Sequence, residues 1–124
     1  MTYNVVTTVE TFGEDPYMMS RLVVAMVNGA QQNNVTSQSS LQAGMCCKHF
    51  AAYDVEGGAG TNDRFTFNAT VGGRDLFETY LPAFKACTVE ASATHVMCSF
   101  NGNIIMAIIY YSVKFDDKCL NCSP

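Results

Sequence analysis

The chain has 124 residues, 48% hydrophobic and 15% charged, a composition that excludes a disordered tail and a collagenous repeat and leaves room for one core. Its formal charge is −4, and the seven Lys and Arg, against eleven Asp and Glu, form no basic stripe. A nucleic-acid partner is therefore not expected. The longest apolar run, Ile104 to Tyr111, is well short of the roughly 20 residues that span a bilayer, so no membrane partner is expected either.

Targeting signals point two ways. The opening residues, Met1-Thr2-Tyr3-Asn4-Val5, lack a basic n-region and a long apolar run, so they read as no secretory signal. Six cysteines, at 46, 47, 87, 98, 119 and 122, fit a disulfide framework with 15 possible pairings. The sequons at Asn34, Asn68 and Asn121 also suit the secretory pathway, although Pro124 weakens the last. Loss of the true N-terminus would reconcile these signals.

In chain order, residues 10–15 read as a turn. Pro16 then stands as a first helical residue with Asp15 as its N-cap. Apolar residues at Met18, Met19, Leu22, Val23, Met26 and Val27 keep helical spacing, and Gly29 is expected to end the helix. The methionines of that stripe read as core packing. Residues 31–40 read as a polar surface loop. Residues 43–50 read as a buried strand with Lys48 and His49 near its end. Residues 54–64 are a glycine-rich loop. A second helix is expected from about Gly73 to Glu90, broken or restarted at Pro82. His95 to Phe100 reads as a second buried strand. Strands alternating with helices indicate parallel βαβ units. Residues 103–113 are apolar without a clear period, and the tail beyond Lys114 connects poorly to the rest.

Lys48-His49 is the sharpest local chemistry. A parallel α/β sheet binds ligands beyond the carboxyl ends of its strands. Lys donates, and neutral His donates and accepts, which suits sugar hydroxyls. On a regular strand adjacent side chains face opposite ways, so both reach one ligand only if the backbone turns irregular there. The competing reading is a solvated Lys beside a structural His. Arg64 presents a rigid donor fork suited to a carboxylate or vicinal hydroxyls, against a surface pairing with Asp63 or Glu56. Asp54 and Glu56 are paired carboxylates, against plain loop solvation. Cys46, Cys47 and His49 with Cys119-x-x-Cys122 match no standard zinc spacing, and adjacent cysteines on a strand are poor ligands, so no metal is expected. Cys47, Cys87 and Cys98 read as buried residues or disulfide partners. Neither a nucleophile elbow nor a phosphate-binding glycine motif is present.

Several motifs agree in order with one family. Glu10-Thr11-Phe12-Gly13-Glu14-Asp15-Pro16, Cys46-Cys47-Lys48-His49-Phe50-Ala51-Ala52-Tyr53-Asp54 and Arg64-Phe65-Thr66-Phe67-Asn68 resemble the family 3 glycoside hydrolases. So do Arg74-Asp75-Leu76, Tyr80-Leu81-Pro82-Ala83-Phe84 and Val96-Met97-Cys98-Ser99-Phe100-Asn101. The resemblance covers residues 10–102 and looks closest to the β-xylosidase-like branch of plants and fungi, with β-glucosidases as the alternative. It implies an α/β fold, part of a (β/α)₈ barrel of the TIM type. It further implies a secreted, retaining, exo-acting enzyme on β-linked xylose or glucose, with no cofactor. Lys48 and His49 match the family's hydroxyl-binding pair, Arg64 a further sugar-binding Arg, and Met97 a residue on a strand lining the same subsite.

The departures matter as much. The family's Trp-Gly-Arg ahead of Glu10 is replaced by Thr7-Thr8-Val9, and Phe100 stands where the family has a Tyr near the nucleophile. After Gly102 the family continues to a catalytic Asp, whereas residues 103–124 diverge, and neither Asp116 nor Asp117 fits that role. No catalytic residue is therefore assigned. The reading is a truncated segment, 10–102, with a divergent tail, 103–124, and no hydrolysis of its own. Two rivals stand beside it: a non-catalytic carbohydrate-binding or interaction protein using the remaining half-site, and a small disulfide-stapled domain unrelated to sugars.

Overall fold

The computed structural model describes residues 11–32, 40–55, 65, 67–101 and the backbone of 119–120. Helix α1 spans Pro16–Gln31. Its start follows from local chemistry. Pro16 lacks an N–H that the first turn could not use, and the Asp15 side chain accepts from the Tyr17 N–H at 2.9 Å. The end differs from the expectation at Gly29. The helix runs two residues further, because Gln31 is anchored at its far end, as described below.

Strand β1 spans Cys46–Phe50 and β2 spans His95–Cys98. They pair in parallel, and β2 pairs in parallel with β3, Cys119–Leu120, in the order β1-β2-β3. Nothing in the sequence marked 119–120 as a strand, and its pairing ties that part of the tail to the sheet. Between β1 and β2 a helical rod covers 73–90 in four pieces. Gly73–Asp75 and Leu81–Lys85 are α-helical, while Leu76–Tyr80 and Ala86–Glu90 are wound as wider π turns. Pro82 sits at the start of the third piece. It cannot donate to the preceding turn and its ring crowds that turn, so a widened turn just ahead of it lets the rod continue. The expected βαβ crossover is therefore present.

Two apolar clusters join the layers. Phe50, Ala51, Leu76 and Val96 are buried together, with Tyr80, Leu81 and Phe84 of the rod packed on them. Val27, Cys87, Ala91 and Ala93 form the second, with Val23, Val24, Met45 and Cys47 around it. The methionine stripe of α1 does not enter the core as expected. Met18 and Met26 are 43% and 41% exposed, and Leu22 is exposed too. They stand beside, not on, the Val23–Val27 face that meets the rod. The strands are also less buried than read from sequence, since Cys46, Lys48 and Met97 are exposed.

The end of α1 away from Pro16 holds a buried polar junction. Gln31 is 5% exposed, not part of a surface loop as its neighbours suggested. Its Nε2 donates to Ser92 O, and its Oε1 accepts from Met45 N and Thr94 N, each at 3.1 Å. One side chain thus ties α1 to the starts of both β1 and β2. The rest of the predicted loop, 33–39, lies outside the described residues, as do 56–64, 103–118 and 121–124. Among the described residues no helix is long and apolar enough to cross a membrane.

Candidate functional site

The irregularity that Lys48 and His49 require is present. The register pairs Cys47 with Val96 and Phe50 with Cys98, so three steps along β1 match two along β2. This is a β-bulge, with one extra residue between Cys47 and Phe50. Cys47 and Phe50 both turn toward the helical layer. Cys47 forms a disulfide with Cys87 of the rod, with Cα atoms 6.8 Å apart. The Phe50 ring meets the Phe84 ring edge-on at 5.0 Å. In a regular strand, residues three apart would face opposite sides. The bulge lets both face the rod and releases Lys48 and His49 from strict alternation. The Lys48–His49 and Phe50–Ala51 peptides are cis.

Around His49 lies an aromatic cluster that sequence reasoning did not single out. The Tyr53 ring lies 5.3 Å from the His49 ring, edge-on. Tyr53 stacks on Phe67 at 5.9 Å and meets Phe100 edge-on at 6.5 Å, and Phe65 meets Phe100 at 5.3 Å. The cluster sits beyond the carboxyl ends of β1 and β2, where a parallel sheet presents its ligand groups. Phe65 and Phe100 are half or more exposed. Alternating Phe and Tyr around positions 50–53 and 65–67 was the available signal, but only the fold brings 53, 67 and 100 together.

The other sequence candidates fare differently. Met97 is on β2 opposite the bulge and 40% exposed. Asp54 accepts a hydrogen bond from the Tyr80 hydroxyl, so its carboxylate ties the loop after β1 to the rod. Arg64, Asp63, Glu56, Asp116 and Asp117 lie outside the described residues. Cys46 is an exposed free thiol, while Cys47 and Cys98 are disulfide-bonded. Among the described residues no three His, Cys, Asp or Glu side chains are grouped to hold a metal. A cleft of about 530 Å³ opens between the start of α1, β1 and the rod. Phe12, Met19, Val23, Met45 and Tyr80 line it, with Lys48 also on its wall.

Comparison with known proteins gives matches over most of the chain. The family model described as "Glycosyl hydrolase family 3 N terminal domain" matches residues 3–104. A "Beta-xylosidase/alpha-L-arabinofuranosidase 2" of Medicago sativa subsp. varia is 44% identical over 92 residues, 74% of this chain and 12% of that protein. A "Probable exo-1,4-beta-xylosidase bxlB" of Aspergillus flavus is 47% identical over 92 residues, with the same coverage of each. A solved GH3 exo-β-xylosidase in complex with a xylobiose aziridine activity-based probe superposes with a TM-score of 0.65 at 27% identity, over 76% of this chain and 12% of that one. A mutant β-glucosidase from Listeria innocua in complex with laminaribiose gives a TM-score of 0.57 at 38% identity, over 73% and 12%. The chain thus spans about 12% of the length of these relatives.

Proposed function

The chain belongs to glycosyl hydrolase family 3, and on that premise we propose that it is a segment of a secreted, retaining, exo-acting β-xylosidase. In this reading residues 10–102 are part of a (β/α)₈ barrel that carries half of the sugar-binding subsite, and 103–124 is a divergent tail. The observation that carries it is the β-bulge at Lys48 and His49, at the carboxyl end of a parallel strand. Lys48 Nζ donates to one glycone hydroxyl. His49 donates to or accepts from its neighbour. Arg64 adds a planar donor fork, and Met97 contributes an apolar wall. The aromatic cluster of Tyr53, Phe67 and Phe100 backs His49 and limits water around its ring. Secretion is supported by the Cys47–Cys87 disulfide, since such bonds persist in oxidising compartments.

Retaining hydrolysis requires a nucleophilic and an acid/base carboxylate about 5–5.5 Å apart. Asp54 is held by Tyr80, and no carboxylate of this chain is assigned to either role. A closed barrel takes about 250 residues. The chain alone is accordingly expected to bind sugar weakly without turnover. Calorimetric titration of xylose into a monodisperse sample tests this: binding is expected, and it is lost in His49→Ala and Lys48→Ala. Wild-type and variant chains with no measurable binding overturn the subsite. Turnover of a chromogenic β-xyloside that His49→Ala abolishes overturns the expectation of inactivity. The 38% identity to a β-glucosidase favours a second substrate reading. Tighter binding of glucose than of xylose in the same titration selects it.

A further inference from the structure

We propose that Ser99 and Asn101 are positioning residues for the Lys48–His49 pair. The inference rests on reading that pair as sugar donors. The β1–β2 ladder ends at Phe50 and Cys98. Past that point the chain turns sharply, and Ala52 adopts the left-handed region at φ 54°. The Phe50 carbonyl still receives the last backbone bond of the ladder, but the next two, of Ala51 and Ala52, need donors, and Ala51 and Ala52 are buried. No ladder remains to supply them.

Two residues just beyond β2 supply them instead. The Ser99 N–H donates to Phe50 O at 2.9 Å. The Ser99 hydroxyl lies 3.0 Å from Phe50 O and 3.4 Å from Ala51 O. Asn101 Nδ2 lies 3.4 Å from both Ala51 O and Ala52 O. Asn101 is 9% exposed, and its Oδ1 has no partner among the described residues. The amide orientation follows from this: turned over, Oδ1 would face two carbonyl oxygens. A buried carbonyl left unpaired costs more than the bond it loses, so this end of the chain stays folded back only while its donors are present. The next residue, Tyr53, is the ring against which His49 rests. Loss of the donors therefore reaches His49 through Tyr53, while the other end of the sheet, at Gln31 and His95, is untouched.

The test uses the full chain, whose two histidines make its ring signals easy to resolve by NMR, with His95 as an internal control. Asn101→Asp keeps the side chain's shape but replaces the donor with a carboxylate oxygen. It is expected to move the His49 and Tyr53 ring signals, leave those of His95 in place, and weaken xylose binding about tenfold. Ser99→Ala should act in the same direction, and Ser99→Thr, which keeps the hydroxyl, should restore both readouts. Unchanged His49 signals in both Asn101→Asp and Ser99→Ala overturn the proposal, as does a Ser99→Thr chain that behaves like Ser99→Ala. If Asn101→Asp fails to fold, the two Ser99 variants decide. If the unmodified chain binds no xylose, the sugar reading falls, and the ring signals alone decide the positioning role.

Discussion

Replacing Gln31 with Met removes a buried polar hub while nearly preserving its volume. The magnitude follows from its three bonds. Two backbone donors, Met45 N and Thr94 N, lose the Oε1 acceptor at 3.1 Å, and Ser92 O loses the Nε2 donor. Ser92 is exposed, so water replaces that donor at little cost. Met45 and Thr94 are half-buried, and each orphaned N–H costs about 1–1.5 kcal/mol, so the variant should lose about 2–3 kcal/mol. For a chain of this size in urea that is a midpoint lower by about 1–2 M. Equilibrium unfolding followed by far-ultraviolet circular dichroism, with disulfides intact, reads the shift. Amide exchange at Met45 and Thr94 should accelerate in parallel. A change below about 0.5 kcal/mol, the range of an ordinary surface substitution, would refute the reasoning. It would mean that the junction between α1 and the two strands is open to water. Gln32→Met, at the exposed next residue, is the matched control and should stay within that range.

Further substitutions probe other parts of the molecule. Leu76→Ala removes a fully buried side chain from the Phe50–Val96 cluster and should cost about 3 kcal/mol in the same assay. Phe77→Ala, at a side chain 64% exposed, should cost less than about 0.5 kcal/mol. The double change Cys47→Ala with Cys87→Ala opens a link across a sequence separation of 40. Chain entropy alone then predicts a loss of about 4 kcal/mol, and a loss below about 1 kcal/mol would place the bond's effect outside the unfolded chain. Gly44→Ala brings a Cβ to 2.9 Å from Thr94 Oγ1. It should push that hydroxyl off Met45 O, to which it donates at 3.1 Å, at about 1 kcal/mol. Thr94→Val should cost a similar amount, and the double variant should show that the two losses do not add.

What was legible in the sequence was local. Asp15-Pro16 starts α1 because a capping carboxylate and a fixed φ act on their own neighbours. The rod over 73–90 and its accommodation at Pro82 follow from spacing and from one missing N–H. Gln31 was not legible, because its partners lie 14 to 63 residues away in sequence. Local composition placed it in a polar loop with Gln32 and Asn33. Met18 and Met26 kept helical spacing, yet spacing does not say how wide a face the neighbouring layer covers. The rod covers only the Val23–Val27 side. Among 15 pairings, no spacing rule selects Cys47 with Cys87. Strand β3 was invisible too, since two residues carry no period.

The site shows how those non-local constraints become local chemistry. The need for an irregular strand at Lys48-His49 was apparent from the residues, but its cause was not. Two anchors supply that cause. Cys47 is bonded to Cys87, and Phe50 packs edge-on against Phe84, both on the rod. A regular strand satisfies only one of them, because its side chains alternate. Holding both on one side requires an extra residue between them, and Lys48 and His49 are the residues that fill the gap. On this argument the anchors, rather than the donors themselves, place the bulge. Replacing Phe50 with Ala removes one anchor while leaving Lys48, His49 and the disulfide in the sequence. The variant chain should keep the Cys47–Cys87 bond on peptide mapping yet lose the distinct His49 ring signal. A His49 signal identical to that of the unmodified chain would show that the bulge is set by the Lys48-His49 segment and its loop alone.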